Sequence, residues 1–183
     1  MPRVTPARIT IVALVLLMLL GCSFAAGAQK IPPPDVPAAI QAPAGAEVVL
    51  VAHASGSQIY TCQAGAGGKF GWTLKAPDAE LKDQEGKVIG SHFAGPAWKL
   101  NDGSEITGKA AAQADSPDPD SVAWLLVNVV SHAGTGLLTD VTVVQRVHTH
   151  GGKPTAAGCD ESHRAAETKS SYTADYYFYT PAK

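Results

Sequence analysis

The sequence predicts an all-β fold, a single-domain β-sandwich or barrel of about ten mostly antiparallel strands. Short segments rich in Val, Ile, Tyr, Thr and Trp alternate along the chain with turn signals that contain Gly, Asp or Asn. Beyond the N-terminal region, no segment repeats its apolar residues at the 3.6-residue period of an amphipathic helix. The chain has 183 residues, of which 45% are hydrophobic, and this is enough for one domain with a sizeable core.

The first 28 residues are arranged like an export signal. Arg3 and Arg8 precede an apolar run at 9–20, small residues follow the run, and the segment contains no acidic residue. The run is too short to span a bilayer as a permanent helix, and it lacks the polar face of a buried amphipathic helix. We therefore predict that residues 1–28 direct export.

Two processing sites are compatible with this signal. Leu19-Leu20-Gly21-Cys22 resembles a bacterial lipobox, in which the cysteine thiol is acylated and the cysteine becomes the new N-terminus. Ala26-Gly27-Ala28 instead fits an ordinary signal-peptidase site that would leave Gln29 first. The sequence favours lipidation of Cys22, so we expect an outer-membrane or periplasmic lipoprotein held by its lipid anchor, or otherwise a secreted protein.

Cysteine counting predicts one disulfide. If Cys22 is lipidated or removed, the exported domain retains only Cys62 and Cys159. A pair of cysteines in an oxidising compartment favours a bridge, and two buried free thiols are the alternative. The bridge would close a loop of about a hundred residues, for which loop-closure entropy gives roughly 4 to 5 kcal/mol.

The composition and the missing motifs exclude several classes of function. The whole chain has a formal charge of −2 and no Lys/Arg cluster, which makes it a poor candidate for binding nucleic acid. The sequence lacks a dinucleotide fingerprint, a P-loop, a G-x-S-x-G elbow and an H-E-x-x-H motif. We therefore predict no cofactor, and the sequence leaves the oligomeric state open.

A proline-rich segment separates the signal from the β domain. Prolines at positions 32, 33, 34, 37 and 43 exclude a regular helix or a central strand from residues 29–46 and favour an extended polyproline stretch. This segment is predicted to be a tether, or an arm laid on the domain at 47–183.

The first half of the domain contains five predicted strands. Ser55-Gly56, the glycine-rich run 64–68 and the turn 84–86 separate most of them. The predicted strands are 47–53, 57–63, 70–76, 79–83 and 87–93.

The second half contains five more predicted strands. Asn101-Asp102-Gly103-Ser104 is a strong hairpin signal because Asp-Gly tolerates positive φ. The nearly unbroken apolar run at 122–130 suits a strand covered on both faces or, alternatively, a buried helix. A polar loop at 151–170 leads to the last strand. The predicted strands are 98–100, 105–113, 122–130, 141–149 and 172–179.

The candidate ligand site combines two strand ends. His92, Trp98 and Asp102 lie within one dense stretch, and the hairpin turn should bring all three to one end of the sheet. Arg146 and Thr149 lie near the end of a later strand, just before the longest loop, and loops on a rigid scaffold are where binding residues gather. We predict that the two strand ends meet in one polar-aromatic pocket for a small molecule or a glycan.

Strand alternation also brings two histidines to one face. His148 and His150 are two positions apart, so both imidazoles would point to the same side and could meet one ion. Arg146 would share that face, while Gln145 and Val147 would lie on the other. A third ligand could come from His92, Asp160 or His163, but none of them stands at a recognisable spacing. We therefore predict no metal site, with His148 and His150 as the candidates if one exists.

Several short motifs occur in order along the domain: GSQIYTCQ, WTLKAPDAEL, GSHFAGPAW followed by DGS, AWLLV, VVQR, GCD and YTADYYFY. Together they resemble a family of small exported bacterial and fungal proteins catalogued only as a domain of unknown function, number thirty-four fifty-five. The resemblance brings no established activity, but it implies export, and it supports the bridge because Cys62 and Cys159 lie within family motifs. The family pattern Arg-x-Asn-Thr is here Arg-Val-His-Thr at 146–149, so His148 is a local feature, which argues against a metal site.

Two functions are compatible with these residues. The first is a ligand-binding or structural module of the cell envelope, in which a rigid, disulfide-bonded β scaffold carries the pocket. The second is a hydrolase or lyase in which His92 acts as the base with an acidic partner such as Asp102. Convergence of these two side chains in an open pocket would favour the enzyme, whereas burial of His92 under Trp98 would favour a scaffold role.

Overall fold

The computed structural model of the protein describes Met1 and residues 30–181. Within these residues the chain forms eight β-strands and no α-helix. Consecutive strands pair antiparallel, and the last pairs with the first, so the sheet closes into a barrel. The strands are β1 (Glu47–Ala64), β2 (Phe70–Lys82), β3 (Val88–Phe93), β4 (Ala97–Leu100), β5 (Glu105–Ala114), β6 (Trp124–Ala133), β7 (Val143–Gly151) and β8 (Glu167–Thr180). The all-β prediction is confirmed, and of the two architectures that it left open the protein adopts the barrel.

The predicted export signal at 1–28, with the lipidation site Cys22, lies outside the described residues apart from Met1. Within the part of the chain that the structure describes, no helix is both long enough and apolar enough to cross a membrane.

The up-and-down order of the strands gives the barrel two distinct ends. The connections that follow β1, β3, β5 and β7 lie at one end, which we call the upper end. The connections that follow β2, β4 and β6 lie at the lower end, together with the start of β1 and the end of β8. The position of a residue along its strand therefore assigns it to one end or the other.

Strand β1 is one continuous strand, whereas the sequence predicted two strands separated by a turn at Ser55-Gly56. Both residues continue the pairing with β8, where Gly56 lies opposite Tyr172. A Cβ at this glycine would lie 2.2 Å from the carbonyl oxygen of Asp78 and 2.5 Å from the Cα of Ala79 on β2. The glycine therefore allows the backbones of β1 and β2 to approach each other closely, which is a common reason for glycine inside a strand.

Strand β2 is also continuous, and it runs through Pro77, where the sequence predicted a break between the strands 70–76 and 79–83. Proline has no N–H for the ladder and is tolerated mainly at edges or irregularities. Here it stands next to a register shift between Ile59 and Tyr60 of the paired strand. With these two mergers, the predicted number of about ten strands becomes eight.

The barrel interior is lined by side chains that alternate along the strands. Strands β1, β2 and β8 contribute small alanines, and large aromatic rings from β4 and β8 pack beside them. The ring of Trp98 packs edge-on against those of Tyr176 and Phe178, at centroid distances of 5.6 and 6.2 Å. The buried interior residues are Ala52, Ala54, Ala79, Leu81, Trp98, Leu100, Ile106, Val127, Leu138, Val141, Val144, Tyr172, Ala174, Tyr176 and Phe178.

The proline-rich segment lies against the barrel as an arm. Ile31 forms a β-bridge with the start of β1. Further along the arm, Ile40 is fully buried against Trp124 of β6 and Val147 of β7. The side-chain amide of Gln145 donates a hydrogen bond to the carbonyl oxygen of Ile40 (2.5 Å). The arm thus covers part of the outer face of the sheet with both apolar and hydrogen-bonded contacts.

Cys62 and Cys159 form the predicted disulfide, with a sulfur–sulfur distance of 2.05 Å and a Cα–Cα distance of 5.3 Å. The bridge ties the connection between β7 and β8 to the end of β1. In the same region, the indole N–H of Trp72 donates to the carbonyl of Ala157 (3.2 Å), and the hydroxyl of Tyr60 donates to a backbone carbonyl at the end of β7 (2.7 Å). The loop is therefore held against the upper end of the barrel.

Candidate functional site

His92 and Trp98 face each other inside the barrel, where β3 and β4 pair. Their rings are stacked, with centroids 4.6 Å apart and an angle of 14° between the planes, and both residues are buried. A third ring, that of Tyr176 on β8, lies 5.0 Å from the ring of His92. The two predicted residues are therefore neighbours, but they belong to the interior and not to an open surface pocket.

The hydrogen bond of His92 determines which ring nitrogen carries its proton. Nδ1 lies 2.8 Å from the carbonyl oxygen of Ala97. A carbonyl oxygen can only accept, so Nδ1 carries the proton and Nε2 carries the lone pair. Burial lowers the pKa of His92 to about 4, against the opposing effect of the Ala97 bond and with a smaller contribution from the positive charge of Arg146. The imidazole is therefore neutral at physiological pH.

Tyr176 connects His92 to Arg146, which lies opposite Tyr176 in the register of β7 and β8. Burial raises the pKa of the Tyr176 hydroxyl, and the nearby guanidinium acts against this shift. The hydroxyl of Tyr172 lies 3.4 Å from that of Tyr176 and extends the contact toward the upper end. These four side chains form what we call the interior polar cluster: His92, Arg146, Tyr172 and Tyr176.

Arg146 is a partly buried cation without a carboxylate partner. Its Nε and Nη2 both donate to the carbonyl oxygen of Ala123, at 3.2 and 2.7 Å. Among residues 30–181, no acidic side chain lies within ion-pair distance of its guanidinium. A buried charge is costly unless it is paired, and neither a carbonyl nor a tyrosine hydroxyl supplies a negative charge. Within the described residues, the guanidinium of Arg146 therefore has no negatively charged partner.

Gln58 is an interior polar residue to which the sequence did not point. It follows Gly56 by two positions on β1 and so shares the inward face of that glycine, which lies opposite Tyr172. Gln58 is 1% exposed, and its Nε2 has no hydrogen-bond partner among the described residues. The signal that could have found it is alternation within GSQIYTCQ, because Gln58 shares a face with Cys62, a residue that the predicted disulfide already marked.

Thr149 lies at the upper end, but it faces the connection after β5 and not the interior polar cluster. Its hydroxyl donates to the carbonyl of Val122 (2.6 Å), next to the Ala123 carbonyl that binds Arg146. In the same segment, the hydroxyl of Ser121 accepts a hydrogen bond from a backbone N–H of β7 (2.7 Å). Thr149 therefore helps to fix the segment that orients the guanidinium.

Asp102 lies at the lower end of the barrel, so the prediction that it joins His92 is wrong. Trp98 pairs with His92 in the body of the sheet, and the chain then runs away from that pair before it reaches the turn between β4 and β5. The Asp102 carboxylate accepts hydrogen bonds from the N–H of Leu137 (2.7 Å) and from the N–H and hydroxyl of Ser104 (2.9 and 2.6 Å). These bonds lower the pKa of Asp102 and give it a structural role in joining two lower connections.

His148 does not share the inward face of Arg146, contrary to the prediction from strand alternation. A β-bulge lies between Val147 and His150, and His148 has a φ of 49°, in the left-handed region. A bulge changes the direction of the side chains that follow it, and here it turns His148 to the outer surface. Both histidines are exposed there and line the same groove.

On that outer surface, Asp175 binds two histidines at once. Nδ1 of His53 lies 2.6 Å from one carboxylate oxygen, and Nδ1 of His148 lies 2.9 Å from the other. The three residues connect β1, β8 and β7 across the groove that His150 also lines. Over residues 30–181, no group of three or more His, Cys, Asp or Glu side chains is arranged to hold a metal ion.

A family model described as "Protein of unknown function (DUF3455)" matches residues 43–180. The chain belongs to this family. It is the family that the sequence motifs resemble, and the match to DUF3455 contains all eight strands and both disulfide cysteines. No curated protein and no solved structure matches the chain.

Proposed function

We propose that this DUF3455 protein is an exported binding module that holds a small anionic ligand at the upper end of its barrel, with Arg146 as the anchor. The observation that carries this proposal is the partly buried guanidinium, which has no acidic side chain within ion-pair distance among residues 30–181. Arginine presents a planar set of N–H donors that suits the oxygens of a carboxylate or phosphate. A ligand of this class would supply the missing charge.

The other members of the interior polar cluster suit an anion because they are uncharged. His92 is neutral, since burial holds its pKa at about 4. Burial raises the pKa of Tyr172 and of Tyr176, so both hydroxyls stay protonated and can donate. No negative charge within the cluster opposes an incoming anion, and the low local dielectric strengthens its attraction to Arg146.

The alternative function, a hydrolase or lyase that uses His92 with an acidic partner, has no support. A general base needs its partner and its substrate within hydrogen-bond reach. The hydrogen bond of His92 within the described residues goes to the carbonyl of Ala97, and Asp102 lies at the other end of the barrel. We therefore favour binding over catalysis.

We also propose that residues 1–28 direct export and that Cys22 becomes the lipidated N-terminus. The disulfide is consistent with an oxidising compartment outside the cytosol. Mass spectrometry of the protein isolated from cells should find a diacylated Cys22. An unmodified Gln29 at the N-terminus would replace the lipoprotein with a soluble exported protein.

The binding proposal is tested with four anions: inorganic phosphate, acetate, citrate and benzoate. At least one of them should raise the melting temperature of the wild-type protein in a concentration-dependent way, because a ligand that binds only the folded state stabilises it. Arg146→Gln should lose this shift. Arg146→Lys keeps the charge but loses the planar set of donors, so its affinity measured by calorimetry should fall by about tenfold.

Arg164→Gln is the matched control. Arg164 lies in the connection between β7 and β8, where its guanidinium stands over the ring of Phe70 at 5.9 Å. Loss of this arginine removes the same charge from the same end of the barrel and should leave anion binding unchanged. The proposal is wrong if no anion stabilises the wild type, or if a folded Arg146→Gln protein binds as tightly as the wild type.

A further inference from the structure

Three buried groups in the barrel interior have unused hydrogen-bonding capacity. The Nε2 of Gln58 and the Nε1 of Trp98 are buried donors without a partner among the described residues. The Nε2 of His92 carries a lone pair, because Nδ1 donates to Ala97, and no described residue donates to that lone pair. Native proteins satisfy most of their buried polar groups, so each such exception calls for a partner.

Ring contacts and strand register relate these groups to Arg146 through Tyr176. The His92 ring stacks on Trp98 at 4.6 Å and lies 5.0 Å from Tyr176, the residue opposite Arg146 in the sheet. Gln58 lies on the inward face of β1. In the register of the sheet, His92 pairs with Ala79, Ala79 pairs with Gly56, and Gly56 pairs with Tyr172. Gln58 is the next inward-facing residue after Gly56 on β1. Diagonal neighbours of this kind are within reach of long side chains.

The unused groups differ in the partner that each requires. Gln58 and Trp98 donate and need an acceptor oxygen, whereas His92 accepts and needs a donor hydrogen. A hydroxyl group meets both needs because it donates one hydrogen and accepts through its lone pairs. A plain carboxylate accepts only, and a neutral polyol brings no charge to Arg146.

Resting on the proposed function, we infer that the ligand is a polyhydroxylated carboxylic acid of the sugar-acid type. Its carboxylate binds Arg146, and its hydroxyls bind the Nε2 of His92 and the Nε2 of Gln58. A site built to hydrogen-bond a hydroxyl rejects the analogue that lacks it, because the buried polar groups then stay unpaired. The hydroxyl-binding residues should therefore set the specificity, while Arg146 supplies attraction to any small acid.

The test compares three probes by calorimetry on the processed protein, purified from the cells that export it: gluconate, hexanoate and sorbitol. Gluconate and hexanoate are six-carbon acids that differ in their hydroxyls, and sorbitol has the hydroxyls without the charge. Gluconate should bind at least about tenfold more tightly than either of the others, which corresponds to one or two buried hydrogen bonds. If hexanoate equals gluconate and both require Arg146, the inference fails while the proposed function stands. If neither acid binds, both fail.

The variant Gln58→Leu tests whether Gln58 causes the preference for gluconate over hexanoate. Leucine has a similar volume and removes a buried donor that has no partner, so the variant should fold at least as well as the wild type. Its affinity for gluconate should fall by about tenfold with little change for hexanoate. His92→Phe should act in the same direction. A folded Gln58→Leu protein with wild-type preference for gluconate would overturn the inference and assign the unused donors to ordered water.

Discussion

The imidazole of His92 lies flat on the indole of Trp98, with 4.6 Å between the ring centroids, and it is 3% exposed to solvent. Inside this contact the ring cannot take up a proton without a large cost of desolvation. Unfolding releases His92 into water, where its affinity for protons is that of an ordinary histidine. The contact therefore couples the stability of the barrel to pH.

We expect the free energy of unfolding to fall as the pH drops from about 6.5 to about 4. In this range the unfolded chain binds a proton at His92, whereas the folded protein, in which the pKa is about 4, does not. Lowering the pH across this range therefore stabilises the unfolded state relative to the folded state by roughly 3 kcal/mol. Urea unfolding at a series of pH values measures the loss.

His92→Gln is the control for this pH dependence, because glutamine does not titrate. If the folded variant loses stability over the same range as steeply as the wild type, other groups cause the effect.

Asp160 titrates in a separate range: hydrogen bonds from Ser162 and then His163 lower its pKa to about 2, against opposing desolvation. Its contribution is lost only as the pH falls further, toward about 2.

Gly56→Ala should destabilise the barrel by about 2 kcal/mol or more, since the new methyl group would overlap the backbone of β2. The nearest atom, the carbonyl oxygen of Asp78, stands 2.2 Å from the position of the added Cβ. Gly71→Ala is the matched control on the neighbouring strand, because a Cβ there meets nothing within 4 Å. Chemical denaturation of both variants checks the prediction, and equal stabilities would mean that β1 and β2 separate without cost.

Removal of the disulfide by the double change Cys62→Ser and Cys159→Ser should cost roughly 4 kcal/mol, because the bridge joins residues separated by 97 positions. Hydrogen exchange should show the first loss of protection in the connection between β7 and β8, which the bridge holds against β1. A double variant with a wild-type urea midpoint would show that the other contacts of this loop suffice.

His148→Gly should be more stable than His148→Ala by about 1 kcal/mol, because the backbone at this position has a φ of 49° and only glycine adopts such a conformation without strain. Both variants lose the bond to Asp175, so the comparison isolates the backbone. At His150, two positions along, the order should reverse, since glycine weakens an ordinary strand residue. The same order at both positions would contradict the assignment of the strain to the bulge.

The sequence predicted those parts of the fold that depend on local signals. Hairpin residues such as Asp102-Gly103 and apolar runs such as 122–130 placed the second half of the barrel within a few residues of the observed strands. The first half went wrong at Gly56 and Pro77, because these residue types mark turns in most sequences. Here the close approach of one backbone to another decides their role, and that distance is not encoded locally.

The site was predicted only in part, for a related reason. His92 and Trp98 stack on each other in the interior, and Tyr176 stands between His92 and Arg146, but strand alternation could not foresee the bulge that turns His148 outward. It also could not show which members of the last strand would complete the cluster. The ring of Tyr176 on β8 reaches His92 on β3 because the pairing of β1 with β8 closes the barrel, and closure depends on every strand at once.

The arm has a practical consequence for the boundary of the folding unit. The family match begins at residue 43, but the buried side chain of Ile40 and the bridge at Ile31 lie before it. A gene fragment designed on the family boundary would produce a protein with Trp124 and Val147 uncovered, and such apolar patches promote aggregation. Anyone who expresses the domain should therefore start the fragment at Lys30 or earlier.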